Sequence, residues 1–327
     1  MNSHLTHEQM AQYKAIVSKI EDYRPLTDAE KETLIRDIME KPFMDLLCDV
    51  AFKYVFSDPE NLKMLLNDFL PIKIESVEPL PNELVSPVSG DKKPVMDILA
   101  KTDDGRKIIV EMQQERREAF FQRIYYYGST LLSSQLKRGG HYGQLMPVYV
   151  ICFMNFTTEH EGCPESQLVY EYQHREKIGG EELTNLHTTY LCELPRLAQK
   201  ALKEMDPVES WFFILRNCSK FASKPEGLDS RYDAVIEAAK TNLVPDKERT
   251  QYLKAMLSEY DKKDIAAAYY KEGHDDGVKE GMKEGMKEEK INVARNLLAL
   301  GMSTDVIFKV TGLSENEVKA LAVPEGA

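Results

Sequence analysis

The spacing of apolar residues changes along the chain from helical to strand-like and back. Over residues 43–70 the apolar positions recur at helical spacing, with a break at Asp58-Pro59 that predicts two helices. Residues 72–113 alternate as strands do, and residues 115–138 return to helical spacing. The apolar run MPVYVICFM at 146–154 is typical of a central strand. This order of elements predicts an α/β core.

The segments on either side of this pattern suggest further organisation. We expect an N-terminal helical appendage over residues 1–42 and the compact core over residues 43–194. Helical spacing over residues 195–271 predicts a region that packs on the core. Residues 272–289 have glycine at every fourth position, which predicts either a linker or solvated helix, or a helix whose glycine stripe packs against a partner. Residues 290–327 have the pattern of a helix-turn-helix-like tail.

A hairpin within residues 94–113 carries the most informative pattern. If residues 103–105 form a three-residue loop, Asp97 lies directly opposite Glu111. The same register puts six apolar side chains on one face: Met96, Ile98, Ala100, Ile108, Val110 and Met112. A two-residue loop would set these apolar residues opposite charged ones, so the sequence favours the three-residue loop.

The two acids of this hairpin are candidate metal ligands. Cross-strand partners have Cβ atoms roughly 5 Å apart. Asp97 and Glu111 can therefore share one hard cation, as Mg²⁺ or Mn²⁺ prefers, and without a cation their charges would repel. The alternative is that both acids are simply solvated on an exposed face of the hairpin.

Composition and charge narrow the class of partner. The chain has 327 residues and 43% apolar content, which is enough for a substantial core. Its net charge of -12 argues against a generally cationic nucleic-acid coat protein. Residues 92–150 nevertheless carry ten basic against six acidic residues, a local +4 that leaves -16 elsewhere. The basic residues are Lys92, Lys93, Lys101, Arg106, Lys107, Arg116, Arg117, Arg123, Lys137 and Arg138. Positive charge beside an acid pair favours a phosphodiester substrate bridged by metal.

The sequence also bears on location and on cysteine chemistry. No apolar run approaches the roughly 20 residues that a membrane span needs, and the first residues lack the apolar region of a signal peptide. We therefore expect a cytoplasmic protein with no membrane partner. The five cysteines include no CxxC pair, which predicts neither a disulfide framework nor a zinc site.

Several blocks of sequence resemble a known family. Asp97, thirteen residues, then Glu111-Met112-Gln113 and a helix with Gln122xxxTyr126 resemble the PD-(D/E)XK nuclease superfamily. More closely, four blocks are similar to the recombination-promoting nuclease and transposase family of bacteria. They are DVAFKYVF, MDILAKTDDGRKIIVEMQ, RIYYYGSTLLSSQLKRGGHYGQLMPVYVI and ARNLLALGMSTDVIFKVTGLSENEVKAL. The resemblance runs from about Phe43 to Leu321.

The resemblance implies a fold and a metal site. The fold is a restriction-endonuclease-like α/β/α core with a helical C-terminal extension. The activity is cleavage of DNA phosphodiesters by metal-activated water, with Mg²⁺ as cofactor and Mn²⁺ as a substitute. Carried over by position, Asp97, Glu111 and the backbone carbonyl of Met112 are metal ligands and Gln113 is catalytic. Asp49 is a candidate extra acid, or else an ordinary helix acid.

One position departs from the superfamily pattern. Gln113 stands where a lysine is usual, and an amide can orient the attacking water but adds no positive charge. The residues implied to bind substrate are Gln122, Arg123 and Tyr126 on the helix, with Lys101 and Lys107 on the hairpin. The alternative for the helix is that its tyrosines cover the core and Gln122 is an ordinary surface residue.

Two functions of different classes are left open. The favoured one is a Mg²⁺-dependent DNA endonuclease in recombination or transposition-like events, and RNA cleavage is a further alternative because the hairpin chemistry does not see the sugar. The other is a catalytically weak DNA-binding or assembly protein that keeps the nuclease fold as a scaffold. The last helix, SENEVKAL, has two glutamates and one lysine, which suits phosphate poorly. We therefore expect the tail to be a dimerisation or partner-docking element, and residues 272–289 together with the tail are the candidate homo-oligomer contact.

Overall fold

The computed structural model describes residues 5–19, 26–82, 95–136 and 139–321. The helices are α1 (His7–Val17), α2 (Asp28–Met39), α3 (Asp49–Phe56), α4 (Pro59–Phe69), α5 (Phe120–Ser133), α6 (Pro207–Asn217), α7 (Asp233–Ala238), α8 (Asp246–Ala299), α9 (Thr304–Thr311) and α10 (Glu315–Leu321). The strands are β1 (Val77–Leu80), β2 (Ile98–Thr102), β3 (Lys107–Gln113), β4 (Val148–Met154), β5 (Val169–Arg175) and β6 (Glu182–Glu193). The chain divides into two compact units, Met1–Ser258 and Glu259–Ala327.

The first unit is built on one six-stranded mixed sheet with strand order β1-β2-β3-β4-β6-β5. Strands β3, β4 and β6 are parallel, whereas β1–β2, β2–β3 and β5–β6 pair antiparallel. Because Gln113 pairs with Met154 and Met154 pairs with Glu193, the carboxyl ends of the three parallel strands meet at one edge of the sheet. Functional residues of α/β sheets commonly lie at this edge.

Helices cover both faces of the sheet. On one face the main core surrounds the buried aromatic residues of α3, α4, β4 and α6: Phe52, Phe56, Phe69, Phe153 and Trp211. On the other face α5 buries Phe120, Ile124 and Leu131 against apolar residues of β2, β3 and β4. Every side chain of β4 is buried, because helices cover the strand on both faces, and this explains its unbroken apolar run. The expected α/β/α architecture is thereby confirmed.

The N-terminal helices belong to the same core. Tyr13 of α1 and both Ile35 and Met39 of α2 are buried in the main cluster. Each helix starts with a capping box, at Thr6 and at Thr27 respectively. Residues 1–42 were expected to be an appendage, and the structure instead packs their described helices into the first unit. Their apolar residues need burial, and the main core supplies it.

The hairpin register agrees with the sequence prediction. Ile98 pairs with Val110 and Ala100 pairs with Ile108, and Gly105 closes the turn with φ +90°. This left-handed conformation favours glycine, as a three-residue hairpin loop requires. The predicted apolar face is right for five of its six members: Ile98, Ala100, Ile108, Val110 and Met112.

Met96 is the exception on this face. It packs on the opposite side of the sheet, in the cluster that contains Leu99 and Ile109. Strand β2 begins only at Ile98, and the Met96 amide donates to the carbonyl of Asn82. The alternation of faces therefore does not extend back to Met96.

The break between α3 and α4 also follows from local sequence. The Asp58 side chain accepts hydrogen bonds from the amides of Glu60 and Asn61, and Pro59 is the first residue of α4. Proline is well suited to that position because the first amide of a helix has no partner within the helix. The predicted pair of helices is confirmed.

The second unit is helical. The backbone of residues 272–289 continues within α8, so the glycine-rich segment is helical, as both a solvated helix and a helix packed against a partner would be. The end of α8 packs with α9 and α10 around four buried residues: Ala294, Ile307, Leu313 and Val318. Ser314 caps α10 by accepting from the amide of Glu317 at 3.3 Å. Among the described residues, no helix is long and apolar enough to cross a membrane.

Candidate active site

Asp97 and Glu111 face each other just past the end of the β2–β3 ladder. The Asp97 amide donates to Glu111 Oε1 at 3.0 Å, and the Met112 amide donates to Asp97 Oδ2 at 2.8 Å. Each carboxylate thus accepts a hydrogen bond from a backbone amide of the neighbouring strand. These bonds stand where the backbone pairing of β2 and β3 ends, at Ile98 and Val110. The predicted opposition of the two acids is confirmed.

The pair is not a solvated surface feature. Glu111 is 3% exposed, and the Asp97 side chain is 13% exposed. Burial, and after it the charge of Asp97, raises the pKa of Glu111 to about 8. Two buried carboxylates this close have an excess of negative charge that a cation can offset.

Lys53 supplies one positive charge to the pair. Its Nζ lies 3.0 Å from Asp97 Oδ1, and it reaches the site from α3 on the main-core face of the sheet. Burial on its own would lower the pKa of Lys53, but the charge and hydrogen bond of Asp97 outweigh it, so the pKa is raised. The ammonium therefore stays protonated beside the acids.

Gln113 contacts the site through its amide. Gln113 Nε2 approaches Glu111 Oε2 at 3.4 Å, and Gln113 Oε1 accepts from an Arg123 guanidinium nitrogen at 2.6 Å. Arg123 lies on α5, above the opposite face of the sheet from α3. The amide of Gln113 is thus held between a carboxylate and a guanidinium, which fixes its orientation.

The residues of α5 divide into two stripes with different surroundings. Arg123 faces the acid pair, and Tyr127, one turn further along, has its pKa raised by burial and by the charge of Glu111. Gln122 and Tyr126 point elsewhere: both are exposed, and Tyr126 is 45% accessible. The stripe that meets the acids is therefore displaced by one residue from the implied Gln122xxxTyr126 pair.

The described members of the expected cationic patch are divided: Arg123 meets the site through Gln113, whereas the two lysines of the hairpin lie away from the acids. Lys101 and Lys107 pair with each other at the far end of the hairpin, four residues or about 13 Å along each strand from the acid pair. Arg106 is engaged by Asp104 at 3.2 Å. Pro94 and four of the predicted basic residues lie outside the described residues: Lys92, Lys93, Lys137 and Arg138.

Asp49 lies near the site without entering it. Its side chain is 54% exposed, with Oδ2 at 3.7 Å from Lys53 Nζ. Its Oδ1 accepts from the Val50 amide at the start of α3. Asp49 contributes to the charge around Lys53, and the structure shows no contact between Asp49 and Glu111.

The oxygen atoms at the acid pair fit a hard divalent cation. Within the described residues no group of three histidine, cysteine, aspartate or glutamate side chains forms a metal cluster. A cation at the acid pair could take a third protein oxygen from the backbone. The Met112 amide faces Asp97, and in a strand the carbonyl of the same residue points to the same side. Two carboxylates and a carbonyl form an all-oxygen donor set of the kind that Mg²⁺ accepts.

Comparison with protein families agrees with this geometry. Residues 46–268, more than half of the chain, match the family model described as PD-(D/E)XK nuclease family transposase. The chain belongs to this family. Residues 287–323 match the model described as the C-terminal helix-turn-helix domain of the Rpn/YhgA-like nuclease family. No curated protein and no solved structure shows significant similarity to the chain.

Membership in the PD-(D/E)XK nuclease family transposases indicates a nuclease or recombination-related function. The nuclease and helix-turn-helix regions together indicate DNA binding. The first model covers the sheet, the acid pair and the helices on both faces. The second covers the end of α8 together with α9 and α10.

Two residues near the acids, Lys53 and Tyr127, are not among the site residues that the sequence predicts. Lys53 stands four residues after Asp49 on one helix face, a spacing that could have drawn attention to it. Tyr127 follows Arg123 at the same spacing. Neither could be assigned to the site without knowing that α3 and α5 meet this edge of the sheet from opposite faces.

Proposed function

We propose that this protein is a metal-dependent DNA endonuclease that hydrolyses phosphodiester bonds in recombination or transposition-like events. The observation that carries the proposal is the buried pair Asp97 and Glu111, whose carboxylates each accept a hydrogen bond from a backbone amide of the neighbouring strand. Two carboxyls buried side by side destabilise the folded state, because burial and the charge of Asp97 oppose the ionisation of Glu111. Such a pair is expected at a functional site, and family membership makes phosphodiester hydrolysis the function that fits best.

The proposed cofactor is Mg²⁺, with Mn²⁺ as a substitute. Asp97, Glu111 and the Met112 carbonyl would hold it, since each presents oxygen to the same edge. A bound divalent cation activates water and stabilises charge on the phosphoryl group. All four carboxylate oxygens already accept one hydrogen bond, and each keeps a further lone pair for a ligand.

The positive charge that the superfamily usually places at position 113 would come here from Lys53. An ammonium 3.0 Å from Asp97 can donate to phosphate oxygens and offset the charge that develops during hydrolysis. Gln113 would orient the attacking water, because Arg123 and Glu111 hold its amide in place. Lys53 and Gln113 would thus divide a role that one lysine has elsewhere.

A second candidate function rests on the same departure. Gln113 adds no positive charge, so the site would be catalytically weak. The protein would then bind DNA and assemble on it, with the nuclease fold kept as a scaffold. The helix-turn-helix family match over residues 287–323 supports a binding role. In that case the nuclease core would serve chiefly to place the second unit on DNA.

Self-association would go with either function. Val278, Met282 and Met286 form an exposed apolar row on α8, 49%, 68% and 61% accessible. Apolar rows at this spacing pack well against a second helix. If the row holds two copies together, a chain truncated after Asp261 should contain fewer copies per particle than the full chain when its mass is measured by light scattering. An unchanged oligomeric state would contradict the contact.

The test of the nuclease is plasmid nicking by the full chain with Mg²⁺ and with chelator, beside Asp97→Ala. We expect metal-dependent nicking that is lost in the variant while its thermal unfolding stays close to that of the unmodified chain. Equal nicking by both proteins would overturn the site. No nicking by either, with DNA binding retained, would favour the binding and assembly function.

A further inference from the structure

The exposed side of α5 has an unusual composition for a surface helix. Phe121, Tyr125 and Tyr126 are 40%, 55% and 45% exposed, on the side of the helix opposite its buried stripe. Gln122 lies between them and is also exposed. The aromatic rings form a continuous face, because positions 121, 122, 125 and 126 are neighbours at helical spacing.

Two of these rings are held in place by their neighbours. Phe121 meets Phe120 edge-on at 5.2 Å between ring centroids, and the Arg116 guanidinium lies 5.9 Å from its centre. Tyr125 packs against His187 at 5.2 Å, and its hydroxyl is 3.3 Å from His174 Nε2. Rings fixed in this way lose little conformational freedom when a ligand stacks on them.

The aromatic face borders the acid site at Tyr126. Tyr126 stands three residues after Arg123 and neighbours it on the surface of α5, and Arg123 bonds Gln113, which in turn approaches Glu111. Phe121 and Tyr125 lie on the other flank of the helix, where Tyr125 packs against His187 of β6. A strand that crosses the exposed side of α5 from Phe121 to Tyr126 therefore arrives beside Arg123.

Among the described residues, little net positive charge surrounds these rings. Arg116 and Arg117 form no ion pair with any described residue, yet the exposed acids Glu115 and Glu118 offset them. A duplex presents mainly its phosphate backbone, whereas an unpaired strand also presents the flat faces of its bases. Aromatic side chains with a few cations are the surface that fits unpaired bases.

We propose that the exposed face of α5, formed by Phe121, Tyr125 and Tyr126 with Arg116, stacks the unpaired bases of a single DNA strand and leads that strand to the acid pair. The inference rests on the proposed nuclease function and narrows its substrate to DNA with an unpaired segment. In a closed duplex the bases are stacked on each other and cannot reach these rings.

The test measures binding apart from cleavage. The full chain with Asp97→Ala, in chelator, is titrated against a fluorescent oligonucleotide of about 20 nucleotides, single-stranded or annealed to its complement, and anisotropy is recorded. We expect tighter binding to the single strand. Adding Phe121→Leu and Tyr126→Leu should weaken that binding by about tenfold or more and change duplex binding little.

Two further variants make the result specific. Phe121→Trp with Tyr126→Trp keeps flat aromatic surfaces and should retain the affinity. Tyr142→Leu removes a tyrosine that is 81% exposed in a turn beyond the end of α5, and should have no effect. Each variant is compared at matched thermal stability, so that a loss of fold is not read as a loss of binding.

The possible failures can be told apart. Equal affinity for single strand and duplex, or full affinity in the leucine variant, would overturn the base-stacking surface. Tolerance of leucine would point instead to an apolar protein partner. Plasmid nicking without single-strand preference would overturn this inference alone. Single-strand preference without metal-dependent cleavage of either the plasmid or the single-stranded oligonucleotide by the unmodified chain would leave the stacking surface in place and overturn the proposed nuclease.

Discussion

The Lys53 ammonium lies 3.0 Å from Oδ1 of Asp97, so a helix on one face of the sheet supplies a cation to an acid of the hairpin. The position after Glu111-Met112 holds Gln113, which bonds Arg123 from the other face. The positive charge around the acids is therefore supplied by two helices, α3 and α5, that lie on opposite faces of the sheet.

Lys53→Met should lower the rate of metal-dependent nicking by about 10²-fold, because the site loses its nearest preorganised positive charge. Initial rates on supercoiled plasmid would measure the effect. Lys63→Met is the matched control, since Lys63 pairs with Glu60 at 2.5 Å on the exposed side of α4. A rate equal to that of the control variant would show that Lys53 has no part in the reaction.

Glu111→Gln should make the protein more stable at high pH. The folded pKa of Glu111 is raised to about 8, from an ordinary value of 4.5, so the folded state binds the proton more tightly than the unfolded state. Stability should then fall as pH rises from about 5 to 8, by a few kcal/mol in all. The glutamine variant is spared this loss, because it does not ionise.

Thermal unfolding in chelator at pH 5 and pH 9 would measure this difference. The variant should match the unmodified protein at pH 5 and exceed it by several degrees at pH 9. Asp97 stays in place in both proteins, so its own titration is common to the two. An identical pH dependence would mean that the Glu111 carboxyl is not held as the structure indicates.

A buried ion pair fastens the carboxyl end of β6. Glu193 is fully buried, pairs with Arg196 and accepts from the Thr158 amide at 2.8 Å. Arg196→Met would leave the buried carboxylate with only Thr158 and His160 as partners and should cost about 3–5 kcal/mol of unfolding free energy. Chemical denaturation would measure the change.

The control for this pair lies on the same sheet. Arg175 and Glu182 form an ion pair at 3.6 Å whose side chains are 50% and 34% exposed. Arg175→Met should therefore cost less than about 1 kcal/mol. Similar losses in the two methionine variants would contradict the importance assigned to burial.

Helix α5 approaches β6 closely at Gly128. A Cβ at this position would lie 2.3 Å from His187 Nε2, and His187 is itself buried. Gly128→Ala should destabilise the protein by about 1–3 kcal/mol, as overpacking does. Adding His187→Ala should recover part of that loss, so the two changes together cost less than their sum.

Denaturation of the two single variants and the double variant would form the thermodynamic cycle. His187→Ala alone is expected to destabilise, because it opens a cavity in a buried position. Strictly additive losses would show that α5 can move away from β6 at little cost.

The sequence predicted those parts of the structure that local rules determine. The register of the β2–β3 hairpin follows from a turn of three residues and from the apolar face that this turn creates. The opposition of Asp97 and Glu111 depends on that register alone. The break at Asp58-Pro59 likewise needs only a cap and a proline.

The remaining features depend on contacts between distant segments. Tyr13 and Met39 join the main core because their helices dock there, and helical periodicity does not say which surface a helix will meet. Lys53 and Tyr127 reach the acids only because α3 and α5 cover opposite faces of one edge. The displacement from Tyr126 to Tyr127 is set by the rotation of α5 on the sheet, which a helical pattern fixes only approximately.

Both acids of the candidate site belong to one short hairpin, whereas the cations that balance them come from other elements. Contacts between residues close in sequence form early in folding, and contacts between distant segments form later. The hairpin therefore brings two negative charges together before Lys53 and Arg123 have docked. We expect the hairpin to close faster in mild acid, because protonation of Asp97 and Glu111 removes their repulsion. The electrostatics of the site therefore also influence how the chain folds.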